Sequence, residues 1–191
     1  IEVNTDSRTV FVKPAAASEK TMFASKGSFP VHRRVVERAH ELLATEASLP
    51  DQLDKVGAKA LAVARAIYRN MDTGQSGLLA RQNAVEWLPW VGSVALDTLA
   101  LLLKHVGCTT TLIRPFGIVV DGIDTQAFRR LAQQIIDVDI AADELVKSVD
   151  GDFLMSRKFD AFLPEALLRE RFAKEHVALG EALEALARVV S

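Results

Sequence analysis

The stretch that decides the fold is residues 92–106, which has the sequence GSVALDTLALLLKHV. Wound as a helix, it places apolar side chains on nearly all sides, with an interruption at Asp97. A helix that is apolar all round belongs in the middle of a fold. It is also shorter than the ~20 apolar residues that a membrane span needs. We therefore predict a buried central helix, with Gly107 as its C-cap.

The segment after the central helix predicts a hairpin and then a second helix. Residues 109–113 and 117–120 are β-branched runs, and Arg114-Pro115-Phe116 separates them. Asp124 or Thr125 is an N-cap for the helix that follows. The predicted inward residues are Phe128, Leu131, Ala132, Ile135 and Ile136, and the outward ones are Arg129, Arg130, Gln133 and Gln134.

Strands and a loop are predicted upstream. Residues 1–3 and 8–13 are β-type runs around Asn4-Thr5-Asp6-Ser7, which predicts a hairpin. Residues 14–27 lack periodicity and predict a loop. Residues 83–89 carry Val85 and Trp87 and suit a strand that enters a loop. A chain that begins at Ile1, inside a predicted strand, is expected to be a piece of a longer protein.

Two amphipathic helices are predicted between these strands. The first is opened by Ser28 and Pro30 and runs to about Thr45. The second is opened by Pro50-Asp51 and ends near Asp72-Thr73-Gly74. The predicted apolar stripes are Val31, Val35, Ala39 and Leu42 in the first helix, and Leu53, Val56, Ala60, Val63, Ala64 and Ile67 in the second.

The last third of the chain is predicted to be helical. A short helix at 141–149 precedes a turn at Asp150-Gly151-Asp152, and Pro164 opens a helix with Leu168 and Phe172 inside. Residues 180–190 form the last helix. The interleaved order predicts an α+β fold of short antiparallel hairpins and six to seven helices around one core. We expect one domain over 1–191, with 1–30 as hairpin and loop and 31–191 as the body.

Composition excludes several classes of protein. The chain is 49% hydrophobic and 25% charged, with net charge −2. It is therefore no polycation, and any nucleic-acid contact must use a local patch. The single cysteine, Cys108, excludes an internal disulfide, and a free thiol fits a reducing compartment, so we expect a cytoplasmic protein with no membrane partner.

The search for catalytic chemistry finds no motif that supports it. No phosphate-binding loop and no dinucleotide glycine pattern is present. The four histidines lack metal-ligand spacing, and the pairs Asp121/Asp124 and Asp137/Asp139 suit turns and caps at least as well as catalysis. We therefore expect no catalytic residues, no metal and no cofactor in this chain.

Basic residues and one tryptophan are the candidate binding residues. Arg34 and Arg38 lie one helical turn apart and share a face, which could follow a phosphate backbone or simply be solvated. Tryptophan beside such a patch can stack on unpaired bases or anchor the core. The candidate nucleic-acid-binding residues are Arg33, Arg34, Arg38, Lys13, Lys26 and Trp90.

Several motifs, in order, resemble the region after the winged helix in Lhr-like DEAD/DEAH-box helicases of superfamily 2. Trp90-Val91-Gly92-Ser93, followed by Thr98-Leu99-Ala100-Leu101-Leu102-Leu103, is similar to that family's Trp-x-Gly-Ser/Thr…Thr-Leu-x-x-Leu signature. Phe116-Gly117-Ile118-Val119-Val120 resembles its Tyr/Phe-Gly-Ile/Leu strand. Phe159-Asp160-Ala161-Phe162-Leu163-Pro164 resembles its Phe-x-x-Tyr-Leu-Pro element. The opening strand 8–15 and the helix at 53–69 resemble two further elements.

The resemblance implies an accessory domain that helps to form the channel for a DNA or RNA strand. The strand would be single-stranded or tailed. ATP and magnesium would be used by motor domains of the same chain, outside this sequence, and the domain would have no ATPase activity of its own. It would pack on those motor domains and on the winged helix.

Two other functions stay open at this stage. One is a protein-interaction module that docks onto the motor or onto a partner protein through an exposed apolar patch. The other is a small free-standing enzyme, which would need a pocket of converging polar groups.

Overall fold

The computed structural model describes residues 2–4, 9–11, 30–46, 53–71 and 76–191. Within these ranges the strands are β1 (Glu2–Asn4), β2 (Thr9–Phe11), β3 (Leu78–Arg81), β4 (Ala84–Trp87), β5 (Thr110–Ile113) and β6 (Gly117–Asp121). The helices are α1 (Arg33–Ala44), α2 (Lys55–Asn70), α3 (Ser93–His105), α4 (Thr125–Asp137), α5 (Ala142–Val146), α6 (Gly151–Leu154), α7 (Glu165–His176) and α8 (Leu179–Val190). A 3-10 turn covers Asp160–Phe162.

The fold is α+β, as the sequence predicted. The larger sheet has the order β3-β4-β6-β5, and every neighbouring pair is antiparallel. The predicted hairpin of β5 and β6 is confirmed, with Ile113 opposite Gly117. The first predicted hairpin is also confirmed, because β1 pairs with β2 and places Val3 opposite Val10.

Helix α3 is the centre of the main core, as its all-round apolar sequence predicted. Leu96, Leu99 and Leu102 are completely buried in it. One face of the sheet, α4 and α8 contribute most of the other buried side chains of this cluster, and Val91, Ile140 and Leu145 complete it. The helix ends where predicted, since Gly107 has φ +88°, a conformation that glycine adopts without strain.

Helix α4 follows its predicted pattern. The Asp124 side chain caps it by accepting a hydrogen bond from the amide of Ala127 at 2.7 Å. Phe128, Ala132 and Ile135 are buried, and the Phe128 ring meets the Trp87 ring edge to face at 5.3 Å between centroids. Trp87 is thereby a core anchor.

A second, smaller cluster of buried residues lies under α5, α6 and α7. It contains Val146, Val149, Leu154 and Leu168. Two ion pairs between residues one turn apart lie on α7, Glu165–Arg169 and Glu170–Lys174.

A buried ion pair holds the 3-10 turn beside this smaller cluster. Arg171 contacts the Asp160 carboxylate at 2.5 Å, and the amides of Ser156 and Arg157 donate to the same carboxylate at 2.8 and 2.7 Å. The hydrogen bonds from Arg171 are the main reason that the pKa of Asp160 lies far below its ordinary value. The turn that follows α6 is therefore fixed by a charged network.

The start of the first long helix and one residue of its apolar stripe were predicted wrongly. Helix α1 begins at Arg33, after His32, whose side chain accepts a hydrogen bond from the Arg34 amide. Val35 is 60% exposed and Val36 is buried in its place, whereas Val31, Ala39 and Leu42 of the predicted stripe are half-buried. Two adjacent valines differ by about 100° around a helix, so the sequence alone left their order open.

The apolar stripe of α2 exists, but it is exposed instead of buried. The helix begins after Asp54, which caps it through the Gly57 amide at 2.7 Å, and none of its residues is buried. The predicted opening at Pro50-Asp51 and the predicted loop at 14–27 lie outside the described residues.

Two elements were not anticipated. Strand β3 joins β4 through the two-residue turn Gln82-Asn83. Asp150-Gly151-Asp152, predicted as a turn, instead starts the short helix α6, with Asp150 as its cap. Among the helices of the described ranges, none has the length and apolar character to span a membrane.

Candidate nucleic-acid interface

The site begins with a close junction between the start of α1 and the start of α3. The Val31 amide donates to Ser93 Oγ at 2.8 Å, and the Ser93 amide donates back to the Val31 carbonyl at 2.9 Å. A Cβ on Gly92 would lie only 3.0 Å from the Arg33 amide nitrogen. Gly92 therefore allows the start of α1 to approach α3 closely, and the two hydrogen bonds of Ser93 hold it there.

Trp90 lies next to this junction in an unusual backbone conformation. Its φ is +53°, a region that costs a non-glycine residue about 1–3 kcal/mol and persists only where surrounding contacts impose it. Its ring stacks on the His40 ring at 4.6 Å between centroids and 16° between planes. Tyr68 meets it edge to face at 5.9 Å, and Phe116 lies 5.6 Å away. The rings of His40, Tyr68 and Phe116, from two helices and one turn, fix the orientation of the indole.

His40 is a neutral member of this aromatic cluster. Its Nε2 lies 2.7 Å from the Tyr68 hydroxyl, and each of the two atoms can donate or accept in that hydrogen bond. Burial lowers the pKa of His40, and the positive charge of Arg188 lowers it further. A neutral imidazole stacked on an indole is therefore the resting state near neutral pH.

Two arginines and two glutamates also lie at this site. Arg33 Nε contacts Glu37 at 2.6 Å and Glu181 at 4.0 Å. Glu181 also accepts a hydrogen bond from the Gly92 amide at 3.2 Å. Arg188, on α8, donates to the Pro89 carbonyl at 3.0 Å.

These side chains surround one pocket, which we call the Trp90 pocket. Its volume is about 200 Å³. The residues that line it include Arg33, Glu37, His40, Trp90, Glu181 and Arg188. The two arginines and two glutamates of this lining balance in charge, so the pocket offers stacking on the Trp90 ring to a planar ligand and no net attraction for an anion.

The chain matches no family model, no curated protein and no solved structure.

The structure brings two of the predicted binding residues together and separates two others from them. Arg33 and Trp90 both line the Trp90 pocket. Arg34 and Arg38 lie on the exposed face of α1, where Arg38 pairs with Glu41 at 2.9 Å. The remaining two, Lys13 and Lys26, lie outside the described residues.

One member of each acidic pair considered for catalysis has a structural partner. Asp124 caps α4, and Asp137 accepts a hydrogen bond from Gln133 at 2.7 Å. Cys108 is half-buried, and burial raises the pKa of its thiol, which disfavours the reactive thiolate. Within the part of the chain that the structure describes, no three His, Cys, Asp or Glu side chains are grouped so as to hold a metal ion.

Sequence reasoning missed four members of the Trp90 pocket and its surroundings. His40 was weighed only as a metal ligand, and Tyr68, Glu181 and Arg188 were not considered. These residues come from α1, α2 and α8, which are far apart in the chain. The one local signal was Gly92-Ser93, because a glycine before a helix marks a close approach of two backbones.

Proposed function

We propose that this chain is a non-catalytic accessory domain of an Lhr-like DEAD/DEAH-box helicase, and that it contacts the DNA or RNA strand moved by the motor domains. The proposal takes the protein to be cytoplasmic. ATP and magnesium are used by the motor domains of the same chain. The supporting observation is that one helix, α1, lines the Trp90 pocket through His40 and carries Arg34 and Arg38 on its exposed face.

The aromatic part of the Trp90 pocket suits an unpaired base. The indole is half-buried, and its neighbours hold it, so it loses little conformational freedom on binding. Stacking of a base on an aromatic side chain contributes about 1–3 kcal/mol and does not depend on sequence. Such a contact grips a moving strand without selecting its bases.

The phosphate contacts are assigned to the exposed face of α1. No carboxylate partner of Arg34 is present among the described residues. The Arg38–Glu41 pair is exposed at both ends, and exposed pairs contribute about 0–1 kcal/mol, so Arg38 can exchange its partner for a phosphate. Arg33 is held by its glutamates and contributes less.

The test is fluorescence anisotropy with labelled single-stranded, duplex and tailed DNA and RNA, at two salt concentrations. We expect salt-dependent binding to single-stranded or tailed substrates. Changing Arg34 and Arg38 together to Ala should weaken it and reduce the salt slope by about 0.7 per lost phosphate contact. A matched control changes two exposed cations elsewhere, Arg130→Ala with Lys147→Ala.

Two outcomes contradict strand contact by this face. One is the absence of binding at low salt by a domain that circular dichroism shows to be folded. The other is an equal loss of affinity in the Arg34/Arg38 and Arg130/Lys147 variants, which would assign the effect to net charge alone.

The second candidate function is docking onto the other domains of the parent chain. Three phenylalanines near the 3-10 turn, Phe153, Phe159 and Phe162, are 75%, 66% and 82% exposed. The Asp160–Arg171 pair fixes the backbone of this turn, and a prearranged apolar surface is typical of an interface. In the full-length protein, Phe159→Ser with Phe162→Ser should release the domain and increase the radius of gyration in small-angle scattering. An unchanged radius contradicts docking through these rings.

A further inference from the structure

One carboxylate of the Trp90 pocket has hydrogen-bonding capacity that its own contacts leave unused. Glu181 Oε1 accepts from the Gly92 amide at 3.2 Å, and Arg33 Nε lies 4.0 Å from the same oxygen. Within the residues that the structure describes, Glu181 Oε2 has no hydrogen-bond partner. A carboxylate has about four acceptor sites. Glu181 can therefore accept hydrogen bonds from a ligand in the pocket that it lines.

The lining as a whole gives no net attraction to an ion of either sign. Its two arginines, Arg33 and Arg188, balance Glu37 and Glu181. Burial lowers the pKa of His40, so its imidazole adds no charge near neutral pH. A phosphate would meet the two carboxylates, and an ammonium or guanidinium group would meet the two arginines. The pocket therefore favours a neutral ligand that donates hydrogen bonds.

The size and the aromatic wall of the pocket suit one planar ring system. Its volume of about 200 Å³ is below the ~300–1,000 Å³ of pockets that hold drug-sized molecules. Trp90 and His40 both line it, with their rings stacked. Proteins recognise unpaired bases by stacking them on aromatic side chains and by hydrogen bonds to their Watson–Crick edges. The pocket therefore suits a single base whose sugar and phosphate stay outside.

Helix α1 places this pocket beside the face that we assign to phosphate contacts. Arg33 lines the pocket, and the next residue, Arg34, is exposed. Neighbouring residues lie about 100° apart around a helix. A strand that follows Arg34 and Arg38 therefore runs beside the pocket, and one of its bases can turn into it.

Guanine is the base whose Watson–Crick edge matches a carboxylate. Its N1–H and its N2 amino group are adjacent donors, one for each carboxylate oxygen. Adenine and cytosine present one amino donor next to an acceptor nitrogen, and uracil and thymine present one N–H between two carbonyl oxygens. An acceptor that faces a carboxylate leaves both groups without a partner, which lowers affinity.

We propose that the Trp90 pocket binds an unpaired guanine, with its ring on the Trp90 indole and its N1–H and N2 amino group donating to the Glu181 carboxylate. The inference rests on the proposed contact with a nucleic-acid strand. It adds a base preference to that contact, since stacking alone does not distinguish the bases. The strand is held more tightly where a guanine enters the pocket.

The test measures the anisotropy of fluorescein-labelled oligothymidine strands that differ in one central base, with the whole chain as the binding protein. The central base is guanine, 7-deazaguanine, hypoxanthine or thymine. 7-Deazaguanine keeps both donors, whereas hypoxanthine lacks the N2 amino group. Strands with guanine or 7-deazaguanine should bind about tenfold more tightly than the thymine strand, and the hypoxanthine strand should lie between them.

Two matched variants on α8 locate the preference. Glu181→Gln can still accept from the Gly92 amide, but it offers one acceptor oxygen in place of two. It should abolish the preference for guanine over thymine. Glu184→Gln removes the same charge from a residue that lies 3.7 Å from Arg33 without lining the pocket, and it should keep the preference. The preference is a ratio within one protein, so a change in net charge alone leaves it unaltered.

Free guanosine separates this pocket from the strand contact. It should quench the tryptophan fluorescence saturably, and inosine should require a higher concentration. Trp90→Phe should remove the quenching, because the other tryptophan, Trp87, is only 1% exposed. Quenching by guanosine without binding of any strand would support the pocket and contradict the strand contact.

Three results overturn the proposal. The first is equal affinity for the guanine, hypoxanthine and thymine strands, which would leave the strand contact standing without a base preference. The second is a guanine preference that Glu181→Gln retains. The third is Glu181-dependent quenching that is stronger with N-acetylarginine amide than with guanosine, which would make the pocket a site for a basic side chain of a protein.

Discussion

Replacing Gly92 with Ala tests the close junction on which the Trp90 pocket is built. The new Cβ would lie 3.0 Å from the Arg33 amide nitrogen, 3.3 Å from its Cα and 3.3 Å from the Val31 carbonyl oxygen. These atoms belong to the backbone, so no flexible side chain can move aside. Gly92 has φ −65° and ψ 161°, which any residue adopts, so the close approach is the only cost of the added methyl group.

The size of the expected destabilisation follows from how far the start of α1 must shift. The start of α1 has to shift by a few tenths of an ångström, and overpacking of this kind costs about 1–3 kcal/mol. The same shift lengthens the hydrogen bonds between Val31 and Ser93, now 2.8 and 2.9 Å. In a chain of this size 1 kcal/mol lowers Tm by about 2–4 °C, so Gly92→Ala should lower Tm by about 2–12 °C.

Urea unfolding followed by circular dichroism measures the free energy of unfolding directly. Gly180→Ala is the matched control, because its Cβ would meet nothing within 4 Å and it lies in helix α8. The control should leave the free energy of unfolding unchanged or raise it, since Ala favours a helix over Gly by about 0.5–1 kcal/mol. If Gly92→Ala is as stable as the parent chain, the junction is not tightly packed and the reasoning fails.

Three further substitutions test other buried contacts. Thr98→Val removes the Oγ1 that accepts a hydrogen bond from the Ala178 amide at 2.9 Å, and the unpaired amide should cost about 1–3 kcal/mol in urea unfolding, whereas Thr98→Ser should restore most of it. Because Arg171 holds the pKa of Asp160 below its ordinary value, the stability contributed by this carboxylate is present above pH ~4 and lost as the pH falls further. Asp160→Asn should therefore be less stable at neutral pH and should flatten the acid limb of Tm against pH; an unchanged limb would contradict this. Burial lowers the pKa of His40, so its stabilising effect is complete above pH ~6.5 and declines as the pH falls below that value. His40→Phe should reduce the slope of the urea midpoint between pH ~5 and ~7, and an equal slope in both proteins would refute the assignment.

The sequence predicts correctly those helices and strands whose apolar pattern leaves no choice of which face is buried. Helix α3 is apolar on all sides, so any rotation of the helix places leucines in the core. Helix α1 contains Val35 and Val36 in succession, and only its packing in the fold decides which of them is buried. The stripe of α2 shows a different limit, because a pattern reveals an apolar face and not what covers it.

The candidate site is predictable only in part, for a related reason. Arg33 and Trp90 were identified from their residue types. Their juxtaposition depends on Gly92 and Ser93, which join two helices whose approach is a property of the whole fold. His40 and Arg188 reach the same pocket from helices at opposite ends of the described body, and no local spacing in a single sequence records that.

The smaller hydrophobic cluster is expected to open more often than the main core. It holds four buried residues, whereas the cluster around α3 draws on the sheet, α4 and α8. The smaller unit therefore has less apolar burial to lose and should undergo sub-global opening while the main core stays folded. Amides in α7 are then expected to exchange through this partial opening, and those in α3 only through global unfolding. Because the Asp160–Arg171 pair joins the 3-10 turn to α7, we expect this opening to require that the pair breaks, and the arrangement of the exposed phenylalanines to persist only while the pair is intact.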